Sequence, residues 1–209
     1  SYVRIWAQEE LAGYYFDRAY GQAWSADYQK GLELLLHGPL DIVNRDMFRA
    51  PRERYKQCYL HNLSMLRISE VLLRLQDPSK SISAESLQTL AGVELGSIGV
   101  GAAWQLMQTK WLPDMLDEKN GASSPYLRRA ARRLLIQSYL VQAPLARPPK
   151  SPLDYIRAAA DEALRRTPSS DTALQKERAE LLSMVAGAAA NMGFIQDAEL
   201  IYQDSIKIF

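Results

Sequence analysis

The chain has little of what most stabilised or catalytic sites require: its 209 residues include one cysteine, Cys58, and only two histidines, His37 and His61. A single cysteine excludes an internal disulfide framework and suggests a reducing, intracellular setting. Cys58 and His61 stand three apart and could offer two metal ligands, but no second Cys or His pair exists to complete a tetrahedral site. The expectation is therefore no bound metal and no cofactor. Long hydrophobic runs are also missing: the most apolar stretch, Gly96 to Met107, is glycine-rich and too short to span a bilayer. Nor is there an excess of one charge. Twenty-five Lys and Arg against 24 Asp and Glu leave a net charge of +1, so no overall field draws the chain to nucleic acid or to an acidic membrane. The phosphate-loop, dinucleotide-binding, zinc-protease and nucleophile-elbow patterns are all missing, and no enzymatic activity is expected. The sequence opens at Ser1 and Tyr2 with no initiator methionine and no charged-then-apolar leader, which reads as a processed chain or a piece of a longer one.

What is present is ordinary globular material, 47% hydrophobic and 23% charged, enough to build one folded domain over 1–209. No segment alternates apolar and polar residues long enough for a half-buried strand, so the class is all-α. Proline and glycine divide the chain into about eight helices. The first runs from Tyr2 to about Ala23, with Ile5, Trp6, Glu9, Leu11, Ala12, Tyr15, Phe16 and Ala19 turned inward. A short helix from Ser25 or Asp27 stops at Gly38 and Pro39, and a long one spans Pro51 to Leu75. A fourth opens at Ser83 or Ser86 and ends at Trp111, before Leu112 and Pro113, with a break near Gly99 where Gly92, Gly96, Gly99 and Gly101 weaken it. The fifth covers Pro125 to Val141. A proline-rich connector over 143–152 is the best internal boundary, and helices over Pro152 to Arg166, Ser170 or Asp171 to Met192, and Ile195 to Phe209 complete the chain.

The terminal segment Ala179 to Phe209 places Leu182, Val185 and Ala186 on one helix and Gly193 at a turn. Ala198, Tyr202 and Ser205 follow at small, large, small spacing on the next helix. The string NMGFIQDAELIY resembles the turn and second helix of a tetratricopeptide repeat, with alanine at 189 where tyrosine is common and serine at 205 where alanine is. A fainter resemblance runs through Tyr139, Tyr155, Ile156, Ala160, Ala163, Leu164 and Pro168, and through Asp27 to Leu35. It implies a right-handed α-solenoid of antiparallel hairpins, because one hairpin cannot bury its own apolar face and must stack on neighbours. It further implies a partner-binding face carrying Glu180, Ser183, Gly187, Ala190 and Asn191.

One charge pattern stands out. Arg128, Arg129, Arg132 and Arg133 form a basic stripe opposite Leu127, Ala131, Leu134 and Leu135. It could meet an acidic partner, phosphates or anionic lipid, or be a solvated face paired with Asp114, Asp117 and Glu118. The expected function is a non-catalytic adaptor or scaffold that binds a protein partner, peptide or subunit. The alternative is a helical-repeat protein contacting nucleic acid or anionic lipid through the arginines.

Overall fold

The computed structural model describes residues 2–18, positions 27, 30, 31 and 34, most of 62–73, and 104–117, 125–165 and 172–208. Among these residues the protein is helical, with no strand, so the all-α expectation holds. Helix α1 is Tyr2–Arg18. A π-turn, Met107–Trp111, leads directly into α2, Leu112–Leu116. The longer helices α3, Pro125–Gln142, α4, Pro152–Leu164, α5, Thr172–Asn191, and α6, Ile195–Ile206, follow, with a 3-10 turn at Ala143–Leu145. The expected glycine-rich break over 92–101, Cys58, His61, His37 and Pro168 lie outside the described residues, as does part of the expected helix count.

The chain divides into two compact units, Ser1–Ala131 and Arg132–Phe209, so the division falls within the sequence of α3. The proline connector over 143–152 belongs to the second unit.

In the first unit the inward face of α1 is narrower than its sequence suggests. Glu9, Ala12, Gly13 and Phe16 are buried, while Trp6 and Leu11 are 38% and 44% exposed. Burial follows the i, i+3, i+4, i+7 row from Glu9, and Leu11 falls off that row. The buried Glu9 carboxylate pairs with Arg67, itself in helical backbone. Gly13 makes room for this pair: a Cβ there would lie 2.7 Å from a guanidinium nitrogen of Arg67. Burial opposes the charge on Arg67, but the hydrogen bond and charge of Glu9 outweigh it and hold the guanidinium pKa above its ordinary value.

A second departure from the sequence reading is at Pro113, which does not end its helix. Leu112 donates its backbone N–H to the Met107 carbonyl, one residue further back than in an α-helix, and Asp117 closes onto Pro113. Pro113 has no N–H to give and its ring crowds the carbonyl four residues back, so a wider turn just before it lets the helical path continue.

The second unit is built around Ile136, Ile156, Ala159, Ala163, Leu182, Val185, Ala186 and Ala189, with Ala198 and Ile201 from α6. Half of these are alanine, which lets the backbones of α4, α5 and α6 approach closely. Ser151 caps α4 reciprocally: its hydroxyl accepts from the Asp154 N–H at 3.3 Å, and Asp154 Oδ2 accepts from the Ser151 N–H at 2.6 Å. The bond from the Ser151 N–H, with a second from the Ser151 hydroxyl to the same oxygen at 2.9 Å, holds the Asp154 carboxyl below the usual aspartate range. At the other end, Arg178 of α5 donates to the carbonyls of Leu164, at 2.9 Å, and Ala163, at 3.5 Å, meeting acceptors that the end of α4 leaves open.

Candidate functional site

The terminal hairpin is fixed first by its turn. Gly193 has φ +85°, and its N–H donates to the Ala190 carbonyl while the Phe194 N–H reaches the Ala189 carbonyl. These paired bonds are the Schellman arrangement, which calls for a left-handed residue at the position Gly193 holds. Beyond the turn, Ala198, Ile201 and Ser205 are the buried side of α6. The Ser205 hydroxyl donates to the Ala179 carbonyl at 3.0 Å and lies 3.2 Å from the Ser183 hydroxyl, so the serine at 205 is a satisfied polar link between α5 and α6. The small residues at 198 and 205 thus face the neighbouring helix. Tyr202, expected as the large filler between them, is 42% exposed and lies at the rim, close to Gly187: a Cβ on Gly187 would stand 3.7 Å from its hydroxyl.

Opposite the buried row Leu182, Val185, Ala186 and Ala189, helix α5 presents Glu180, Ser183 and Asn191 to solvent, with Gly187 and Ala190 half-buried. Of the residues the repeat resemblance assigned to a partner face, Glu180 and Asn191 are exposed, whereas the Ser183 hydroxyl meets Ser205 and Gly187 lies beside Tyr202, both of α6. The neighbouring side of α6 adds a feature that the repeat pattern did not identify. Ile195, Tyr202 and Ile206 are 59%, 42% and 74% exposed, and with Glu199 they recur at intervals of four, three and four residues. The signal was present in the helical spacing, but Tyr202 read as inter-hairpin filler.

The arginines are arranged differently from a solvated stripe. Arg132 is nearly buried and pairs with Glu162 of α4 at 3.3 Å, and Arg165 reaches the other oxygen of the same carboxylate at 3.3 Å. Glu162 is thus a buried charge held between two guanidinium groups. The nearby Tyr139 phenol is raised above its ordinary pKa by burial first and by Glu162 second, partly offset by Arg165. Arg128 and Arg129 are each engaged in an interaction of their own, and Arg133 is exposed. Leu127, Ala131, Leu134 and Leu135 are buried as the pattern requires. Ile136 is buried as well, in the core of α4 to α6, although its helical position sets it among the arginines. The basic residues of α3 therefore do not form one continuous open face.

Among the described residues no group of three or more His, Cys, Asp or Glu side chains is placed to hold a metal ion, and no helix is long and apolar enough to cross a membrane. Two buried polar atoms there make no hydrogen bond, Glu9 Oε2 and Trp111 Nε1. No family model matches this chain, and neither does any curated protein or solved structure.

Proposed function

We propose that the chain is a non-catalytic interaction module, an adaptor of degenerate helical hairpins, that holds a helix or peptide of a partner protein along the accessible side of α5 and α6. One observation carries this reading. Three large side chains, Ile195, Tyr202 and Ile206, are exposed along one row of α6 that flanks its buried row Ala198, Ile201 and Ser205, and Leu200, 61% exposed, lies off that row. Scattered exposed apolar residues are unremarkable, but a row at helical spacing is the form of a surface that another helix covers.

The reading of α3 as a phosphate-binding stripe is the weaker one. Arg132 is committed to Glu162, and the apolar Ile136 interrupts the row.

The test is a comparative capture from an extract of the source cells. The wild-type chain and a Tyr202→Asp, Ile206→Asp double variant are used side by side, with quantitative mass spectrometry of what each retains. A partner retained by the wild type and lost from the variant supports the proposal. Identical protein profiles from the two would overturn it.

A further inference from the structure

The row on α6 is not uniformly apolar, and resting on the docking reading above, its one charge restricts what can cover it. Glu199 lies between Ile195 and Tyr202 on the same side of the helix and is exposed. The other acids of the hairpin with a defined ion pair are accounted for: Asp197 meets Arg157 at 3.4 Å, Asp204 meets Lys207 at 3.0 Å and Glu180 meets Lys176 at 4.0 Å. Among the described residues Glu199 has no such partner. A helix that covers Ile195 and Tyr202 must also cover Glu199, which lies one turn from each. Removing a carboxylate from water without a compensating donor costs more than the flanking apolar contacts return. A wholly apolar helix is therefore rejected at this surface.

We infer that the partner is an amphipathic helix whose apolar seam carries one lysine or arginine opposite Glu199, and that Glu199 selects it. Arginine is the better fit, because its fork can engage both carboxylate oxygens. A second copy of this chain is a poorer occupant. In an antiparallel pairing of two α6 helices the four, three, four spacing sets Glu199 against Tyr202, whose phenol offers a hydrogen-bond donor but no charge.

The experiment uses the full chain, immobilised, and a displayed library of 18-residue helices. Their seam positions vary among Leu, Ile, Val, Met and Phe, except one central seam position that is fully randomised. The wild type is expected to enrich Lys or Arg at that position relative to an Ile206→Asp control. An enriched peptide remade with Glu there should bind about tenfold or more weakly, and Glu199→Lys should invert the order of the two peptides. Enrichment without a basic residue, or an order unchanged by Glu199→Lys, overturns this inference and leaves the docking face standing. No enrichment over the control overturns both.

Discussion

Gly193 offers a clean test of how the terminal hairpin is built. Its φ of +85° is one that residues with a Cβ rarely adopt, yet a Cβ placed there meets nothing within 4 Å. Substitution therefore introduces no clash with the rest of the molecule, and the whole effect is conformational. An L-residue in the left-handed region costs roughly 1–2 kcal/mol. Against this, alanine has fewer unfolded conformations to lose than glycine, worth about 0.4–1 kcal/mol in the other direction. Gly193→Ala is thus expected to destabilise by about 1 kcal/mol. Gly193→Asn should cost less, because asparagine tolerates this region, and Gly193→Val more, because a β-branched side chain does not. If the unit Arg132–Phe209 melts on its own, the alanine variant should melt about 4–8 °C lower. The decisive arm is D-alanine at 193, introduced by ligation of a synthetic C-terminal peptide. It suits the positive φ, so it should match or exceed glycine in stability. Thermal and urea unfolding followed by circular dichroism measure all four. An L-alanine variant as stable as the parent, or a D-alanine variant weaker than the L-form, would refute the assigned turn.

The remaining predictions concern polar links and the cap of α4. Glu162→Ala leaves Arg132 nearly buried without its partner and should cost about 3 kcal/mol, while the Glu162→Ala, Arg132→Leu pair should recover part of it in a double-mutant cycle by urea unfolding. Ser205→Ala removes one hydrogen bond to the Ala179 carbonyl and should cost about 1 kcal/mol, whereas Ser205→Leu overpacks the α5–α6 contact and should cost about 1–3 kcal/mol. The folded Asp154 carboxyl titrates below its unfolded value, so its contribution is present above about pH 3.9 and is lost as pH falls through the lower folded value. Asp154→Asn should therefore be less stable than the parent at neutral pH, and the gap should close on acidification below the normal aspartate range. Melting both proteins across that interval shows whether it does.

The terminal hairpin was the part of the fold most legible in the sequence, because its determinants are local. Gly193 fixes a turn, and small residues at 179, 186, 198 and 205 announce a close helix contact whatever the surroundings. The Ser151-Pro152-Leu153-Asp154 start of α4 is local in the same way: its capping acceptors lie three residues apart. Pro113 shows where local rules fail, since a proline that should end a helix is accommodated by a π-turn upstream that no residue type signals. The arginines of α3 show the other limit. Four basic residues at helical spacing read as a solvated row, but Glu162 lies 30 residues away from Arg132 in the chain, and only the packing of α4 decides which guanidinium it takes. The proposed partner side was legible only in part: the repeat pattern puts Glu180, Ser183 and Asn191 together on α5, and all three are exposed. The exposed row on α6 did not follow from that pattern, because Tyr202 fits the inter-hairpin filler position of the repeat as well as it fits a row with Ile195, Glu199 and Ile206.

Arg178 has a consequence for how the second unit comes apart. The last turn of α4 relies on a donor carried by the following helix, so its order is borrowed from α5. When α5 detaches, the carbonyls at 163 and 164 lose that donor, and the end of α4 should fray in the same event. Amide hydrogens near residue 164 should then exchange at the rate set by opening of α5, and Arg178→Ala should speed exchange at that end while leaving the Ser151 end as slow as before.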